Sequence, residues 1–405
     1  MRFVARVATA ALVALAPVAA GTASSSAAAP EPTPAPLVAS ANAVPGQYIV
    51  TLDKGVDAVK LAKTLGVKPT FTYGTALNGF AVPLTPLQLT IVRNALGVKS
   101  VEEDTKVSAP SSRSRDDGAS TLGVASSWGL DRIDQKTDWD KDNGKGDGSF
   151  TVNGNGAGVT AYILDTGIDY THTEFGSRAT FGYDAMPDAA TQQGLDCNGH
   201  GTHVAGTVGG KTYGVATKVS LVGVRVLGCD GQGSYAGMIA GLDWVAKNAK
   251  KPAVLNGSLG GSLSKALNDA ATALSDAGVL PVLAAGNDAK DACQVSPASA
   301  DRVVTVAASN RYEEETSFSN WGTCVELYAP GEEIVSAKLG GGSRTESGTS
   351  MAAPHVTGVA ALYLQEHPTE TPGAIAEFIE EETTKDVLSK VSKSSPNQLL
   401  NTGGL

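Results

Sequence analysis

Residues 159–167 read VTAYILDTG, an apolar run that stops at Asp165 and turns at once on Thr166-Gly167. Uninterrupted apolar runs of this length suit strands buried on both faces, as in a parallel sheet. Four more follow: VSLVGVRVLG (219–228), PAVLNGSLGG (252–261), VLPVLAAGN (279–287) and RVVTVAAS (302–309). Helical segments lie between or after them, most clearly 235–250, 263–278 and 350–367. Strands alternating with helices predict an α/β domain. In such sheets ligands gather beyond the carboxyl ends of the strands. There the sequence places polar or Gly-rich turns: Asp165-Thr166-Gly167, Asn256-Gly257-Ser258 and Gly286-Asn287-Asp288.

Ahead of this region the texture differs. GQYIVTLD (46–53) reads as a strand, DAVKLAKTLG (57–66) as an amphipathic helix and TFTYGTALNGFAVPL (70–84) as a strand pair. TPLQLTIVRNALG (85–97) reads as a second helix and VKSVEEDTKVS (98–108) as a last strand. The β-α-β-β-α-β order predicts a small two-layer α+β domain of ferredoxin-like type over 44–108. APSSRSRDDGAS (109–120) is polar and reads as an exposed, cleavable linker before a second domain, 121–405.

The first residues, MRFVARVATAALVALAPVAA, carry two arginines, then an apolar run, then small residues. This is a secretory signal layout, assigned to 1–29, with an Ala/Pro/Ser-rich linker over 30–43. The apolar run is too short and proline-interrupted for a membrane span, so the protein is expected to be secreted. With 31 basic and 41 acidic residues the net charge is −10, which argues against nucleic acid or an anionic membrane as partner. The cysteines are Cys197, Cys229, Cys293 and Cys324, with no C-x-x-C. In a secreted chain an even count favours disulfides, and sequence alone permits three pairings.

SGTSMAAPHVTG (347–358) puts small residues at the mouth of an apolar helix and Pro354 inside its first turns. The arrangement makes sense if Ser350 must stand exposed at a helix N-terminus. A serine nucleophile needs a base, a carboxylate to orient that base, and donors for the oxyanion. Asp165 supplies a carboxylate at a strand end. CNGHGTHVAGT (197–207) supplies His200 and His203 at a helix start, and Asn287 offers an amide after the strand 279–286. A zinc reading of the two histidines lacks further ligands, since H-E-x-x-H is absent. His355 lies five residues past Ser350, about 140° round the helix, and is read as structural. The α/β-hydrolase order Ser…Asp…His is not followed, and the glycines of GNGAG (154–158) precede their strand, which excludes a nucleotide loop.

Together AYILDTGID, NGHGTHVAGT, AAGND and SGTSMAAPHV resemble the subtilisin-type serine proteases. WGLDRIDQ, GLDWV, NGSLGG, SPAS and TSFSNWG are closest to the proteinase K branch. The resemblance runs from Trp128 to PNQLL near the end, and the first domain resembles the matching inhibitory propeptide. It implies a three-layer fold with a mostly parallel central sheet. It also implies a serine endopeptidase with Asp165, His200 and Ser350 as triad and Asn287 with the Ser350 amide as oxyanion donors. His203 is then structural. A catalytically silent binding protein on this scaffold is the rival, and all four residues speak against it.

The resemblance further implies that extended protein or peptide substrates pair with Gly231, Gly233 and Tyr235 on one side and Ser258, Leu259 and Gly260 on the other. Ser258–Gly260, Ala284–Gly286 and Val295 should wall the first specificity pocket. The absence of a carboxylate at these positions predicts apolar or aromatic P1 residues. Asn256-Gly257-Ser258 is the chain's one N-x-S/T sequon, and it reads as buried cleft wall rather than a glycosylation site. The implied disulfides are Cys197–Cys229 and Cys293–Cys324. Catalysis needs no cofactor. Structural calcium is implied at Asp301, Val303 and Glu326, and again at Asp131, Asp134 and Gln135, although the acidic segment 136–150 departs from the family pattern. The mature chain is expected to be a monomer starting between Ser112 and Thr121, with its own propeptide as intramolecular inhibitor.

Overall fold

The computed structural model describes residues 33–40, 42–109, 113–115, 127–188, 191 and 193–405, with 113–115 described for the backbone. The expected signal segment and most of the processing linker lie outside the described residues.

The first sheet comprises β1 (Leu37–Val38), β2 (Ala43–Leu52), β3 (Phe71–Tyr73), β4 (Gly79–Pro83) and β5 (Val98–Ser108), in the order β1-β5-β2-β4-β3. Helices α1 (Ala58–Thr64) and α2 (Pro86–Arg93) interrupt the strands where the period changes from 2 to 3.6. At α2 the Thr85 hydroxyl accepts the Gln88 N–H and the Gln88 side chain accepts the Thr85 N–H, a reciprocal cap worth about 1 kcal/mol. Alternate residues along the strands serve two cores. Val50, Phe80 and Val101 meet Ala62 and Val92 of the helices. Ile49, Ala81 and Val107 face the other way, into a core shared with the second domain.

After β6 (Arg113–Arg115) the second domain begins with α3 (Trp128–Ile133), β7 (Thr160–Asp165), β8 (Ala179–Asp184), α4 (His200–Gly209), β9 (Ser220–Arg225), β10 (Gln232–Ser234) and α5 (Tyr235–Asn248). It continues with β11 (Ala253–Gly257), β12 (Gly261–Ser262), α6 (Lys265–Asp276), β13 (Leu280–Ala284), β14 (Val295–Ser296), β15 (Val304–Ser309) and β16 (Leu327–Pro330). The rest is β17 (Ile334–Ala337), β18 (Ser343–Ser347), α7 (Thr349–Glu366), α8 (Pro372–Glu382), β19 (Thr384–Lys385) and β20 (Gln398–Leu399).

The central sheet runs β19-β20-β16-β15-β13-β11-β7-β9-β8, parallel throughout except for β19. Along β7, Ala161 and Ile163 join a core with α4 and α7, while Tyr162 and Leu164 join one with α5 and α6. That alternation produces the three layers. The chain passes from β7 to β8 and β9 on one flank and then back to β11 on the other, so the strand order reverses beside β7. A crevice at the carboxyl end of β7 is the consequence, and Asp165 is the last residue of that strand.

Candidate active site

Two elements converge on the end of β7. Asp165 is fully buried, and its Oδ1 lies 2.8 Å from Nδ1 of His200, the first residue of α4. Gly201 permits this approach: a Cβ there would stand 2.2 Å from the Gly167 carbonyl oxygen. Gly199, at φ +108°, turns the chain into the helix. Asp196 ties the turn down, accepting hydrogen bonds from the Thr166 and Thr202 hydroxyls and from the N–H groups of Asn198, Gly199 and Thr202.

Burial by itself would lower the pKa of His200, but the Asp165 carboxylate, helped by Glu346 and Asp196, raises it to about 9. Its Nδ1–H therefore donates to Asp165 and leaves Nε2 buried, without a hydrogen-bond partner among the described residues.

Ser350 is the second residue of α7, a helix buried on nearly every face. A proline inside a helix removes one i→i−4 hydrogen bond, at a cost of about 3 kcal/mol when nothing replaces it. Pro354 so frees the carbonyl of Ser350, and the Ser258 hydroxyl donates to that carbonyl at 2.9 Å. The Ser350 hydroxyl donates in turn to the Ser258 carbonyl at 3.1 Å. Asn287 sits alongside: its Oδ1 accepts the N–H and hydroxyl of Thr349, which holds the amide and leaves Nδ2 beside Gly348. Gly286, at φ +105°, makes the turn before it.

His203 and His355 are bolts. His203 Nε2–H donates to the carbonyls of Ile334 and Arg344, joining α4 to the β17–β18 hairpin, and burial lowers its pKa. Burial takes His355 down to about 4, and its Nδ1–H donates to the Met351 carbonyl. Asn256 is fully buried on β11, held to Ser258 Oγ and the Thr357 hydroxyl, so the sequon is inaccessible.

The chain's own β5 lies extended against the second domain. β5 runs antiparallel to β10, with Gly233 opposite Val107 and Gln232 opposite Ser108, and Ser108 bridges Gly260. The Gly231 carbonyl accepts the Ala109 N–H at 2.8 Å. Gly233 cannot carry a side chain, since a Cβ would meet the Val226 carbonyl at 2.2 Å. Tyr235 is buried with its hydroxyl on the Ser262 carbonyl. Next to Ala109 is a cavity of about 250 Å³ walled by Leu259, Gly260, Ala284, Gly286 and Val295. Asp288 and Lys290 also line it, two exposed side chains ion-paired to each other at 2.8 Å. Asp288 thus brings a carboxylate to the lining from outside the positions matched by the resemblance, and Lys290 balances its charge.

Carboxylates of the first domain hold it in place. Asp104 accepts the Ala236 N–H at the start of α5, and Glu102 accepts the Ala266 N–H and Ser264 hydroxyl at the start of α6. Anions at helix N-termini are favoured by the unpaired N–H groups and the helix dipole. In the opposite direction, Asp243 of α5 accepts the N–H groups of Gly74, Thr75 and Ala76. None of these three acids, nor Asp196 or Glu346, stands out in the sequence, because their role depends on contacts between distant segments. The disulfides are Cys197–Cys229 and Cys293–Cys324. The first braces the turn before His200 against the segment leading into β10.

Among the described residues no group of three or more Asp, Glu, His or Cys side chains is arranged to hold a metal ion. Asp131 accepts the N–H groups of Gly146 and Gly148, and Asp134 accepts that of Thr151 and a hydrogen bond from Gln135. Burial, then the charges of Asp147 and Asp131, push the Asp134 carboxyl up to about 6. Burial pushes Glu326 up to about 8, with Glu380 adding to it. Glu326 accepts the Thr305 N–H, and the Asp301 carbonyl accepts the Thr272 hydroxyl. Val303 lines the same cavity as Glu326.

Comparison with known proteins agrees with the geometry. The Subtilase family matches residues 156–402 and the peptidase inhibitor I9 family residues 47–110. The chain is 44% identical to an extracellular serine proteinase of Thermus sp. (strain Rt41A), over 89% of this chain and 90% of that one. It is 44% identical to alkaline serine exoprotease A of Vibrio alginolyticus over 87% of this chain, and spans 61% of that relative's length. A crystal structure of a cold-adapted subtilisin-like serine proteinase superposes with a TM-score of 0.64 at 48% identity, over 68% of this chain and 97% of that one. The chain therefore belongs to the subtilase family of serine proteinases, with an I9 inhibitor domain ahead of its peptidase domain.

Proposed function

We propose that this chain is a secreted serine endopeptidase of broad specificity, made as a zymogen that processes itself. Ser350 Oγ attacks the scissile carbonyl while His200 Nε2 takes its proton, and Asp165 at Nδ1 stabilises the resulting imidazolium. The oxyanion is held by Asn287 Nδ2 and the Ser350 N–H at the helix start. His200 then protonates the leaving amine. Water, deprotonated by the same imidazole, hydrolyses the acyl-enzyme. Walls of Leu259, Ala284 and Val295 around the cavity favour apolar or aromatic P1 residues.

The observation that carries this reading is β5 on β10: a peptide of the same chain lies extended along the groove up to Ala109. Pairing resumes when Arg113 meets Ser347 of β18. These two flanks favour a scissile bond between Ala109 and Arg113, at or ahead of the Ser112 end of the window expected from the sequence. The inhibitor domain then stays bound as an intramolecular inhibitor until it is degraded, leaving a monomeric enzyme.

Structural calcium at Asp131, Asp134 and Gln135 belongs to the same proposal. The support is the repulsion that Asp147 and Asp131 exert on the Asp134 carboxyl, which a cation would relieve, although the three are not arranged as a ready-made ligand set. The groups at Asp301 and Glu326 are hydrogen-bonded within the protein, as Asp131 and Asp134 are, and only one carboxylate, Glu326, is strongly raised there. No catalytic step passes through either.

The test is N-terminal sequencing and intact mass of the secreted protein beside Ser350→Ala. We expect a mature start at one of residues 110–113 in the wild type and retention of the inhibitor domain in the variant. Identical processing of both would refute self-cleavage, and peptidase activity in the variant would refute Ser350 as nucleophile.

A further inference from the structure

Two helices of the peptidase domain start against β5, a strand that departs with the inhibitor domain once the chain is cut. Along β5, Glu102 and Asp104 point into the peptidase domain, whereas Glu103 between them turns back and accepts the Ser40 N–H at 2.9 Å. At the start of α5 the Ala236 N–H donates to Asp104 Oδ1 at 3.0 Å, and the Tyr235 N–H and Ser234 hydroxyl donate to the same carboxylate. At the start of α6 the Ala266 N–H donates to Glu102 Oε1 at 2.9 Å and the Ser264 hydroxyl to Oε2 at 2.8 Å. An anion is thus seated at each helix start. Both anions belong to the strand whose next residues, Val107 and Ser108, pair with Gly233 and Gln232 ahead of the cavity beside Ala109.

We propose that the starts of α5 and α6 form an extended substrate site in the mature enzyme, one that takes acidic side chains well upstream of the scissile bond. The proposal rests on the reading of the chain as an endopeptidase with Ser350 as nucleophile. The inhibitor strand sets the register, with acids three and five residues before the residue opposite Gly233. These are the sixth and eighth residues before the bond when the one matching Ala109, beside the cavity, is counted as the first. Loss of the inhibitor domain takes these acceptors from Ala236, Ala266 and Ser264, while the helix dipoles remain. An extended peptide on β10 carries its own side chains past both starts, since residues two apart on a strand share a face. Burial raises the pKa of Glu102 and Asp104, and the donors at the helix starts draw it back. A bare strand desolvates its carboxylates less than a folded domain does, so it keeps more of that attraction. The exposed ion pair of Lys265 and Asp269 lies on the Glu102 side, its two charges acting on that carboxylate in opposite directions.

The test uses mature enzyme and quenched-fluorescence peptides that share the residues around the cleaved bond and carry a long upstream half. Glu or Gln is placed at each upstream position in turn, with a short p-nitroanilide as the check that the enzyme is active. Glu should exceed Gln in kcat/KM by about two- to fivefold at two positions separated by one residue, the size of an exposed anion at a helix N-terminus. The gain should lie in KM, because the contact is the same in the ground and transition states. It should fade in about 1 M salt. Lys265→Glu should erase the preference at the position farther from the bond and keep it at the nearer one, read as the Glu/Gln ratio within each enzyme. A flat scan, a preference at another spacing, or ratios that salt or Lys265→Glu leaves unchanged overturns the proposal while leaving the nucleophile assignment standing. Failure of the wild type to cleave any peptide or the p-nitroanilide overturns both.

Discussion

Ser258 and Ser350 exchange hydrogen bonds in both directions, hydroxyl to carbonyl, at 2.9 and 3.1 Å. The exchange exists because Pro354 cannot donate to the carbonyl four residues before it. A defect in the helix thereby becomes a link between the wall of the groove and the start of α7.

Ser258→Ala leaves the Ser350 carbonyl buried without a donor. An unsatisfied buried carbonyl costs about 1–3 kcal/mol. We expect a lower unfolding midpoint by denaturant titration and a fall in kcat with KM little changed, since the side chain removed points at the helix and not into the groove. An unchanged midpoint would mean that another donor takes its place.

The pH dependence follows from His200. Its pKa in the folded chain, about 9, lies above the ordinary 6.5, so the stability it contributes is complete below about pH 6.5 and is lost as pH rises through about 9. Activity runs the other way, because the base must be neutral. We expect kcat/KM to rise with pH on an alkaline limb. Glu346→Gln, which removes one of the charges holding the imidazolium, should move that limb to lower pH. A limb at or below pH 6.5 in the wild type would contradict the electrostatics.

Asp243 is the acceptor for three consecutive N–H groups of the inhibitor domain, at 2.6 to 3.1 Å. A hydrogen bond to a charged acceptor is worth about 1.5–3 kcal/mol net of the exchange with water, and less where it is exposed, as two of these are. Asp243→Ala in the mature enzyme should raise the inhibition constant of the inhibitor domain added in trans by about tenfold. Hydrolysis of a small peptide substrate should not change. Equal inhibition of both enzymes would place the grip in Asp104 and Glu102 instead.

Asp134 provides the calcium test. Its carboxyl is pushed up to about 6, so the unmetallated loop is favoured below that pH and disfavoured as pH rises through it. Millimolar calcium should raise Tm more at pH 8 than at pH 5, and Asp134→Asn should abolish the difference. A calcium response that is the same in the variant would exclude this loop.

Much of the molecule is legible in the sequence because it depends on local rules. Apolar runs of strand length announce the sheet, the change from period 2 to 3.6 announces the helices of the inhibitor domain, and small residues around His200 and Ser350 announce close approach. The order Asp165, His200, Asn287, Ser350 is a linear record of strand ends and helix starts.

What the tertiary structure alone decided are the relationships that burial creates. Glu346 reads as an ordinary charged residue of a hairpin strand until its side chain is seen enclosed near His200. Asp104 and Glu102 read as solvated acids until the two domains meet and helix N-termini supply their donors, and Asp243 until the turn Gly74-Thr75-Ala76 supplies its own. Pro354 looks like a helix breaker until Ser258 is found supplying the missing donor. Local sequence governs backbone choice, since φ, ψ and side-chain period are properties of short segments. Desolvation and charge coupling arise only between segments far apart in the chain, and these set the proton affinity of His200 and the grip of the inhibitor domain.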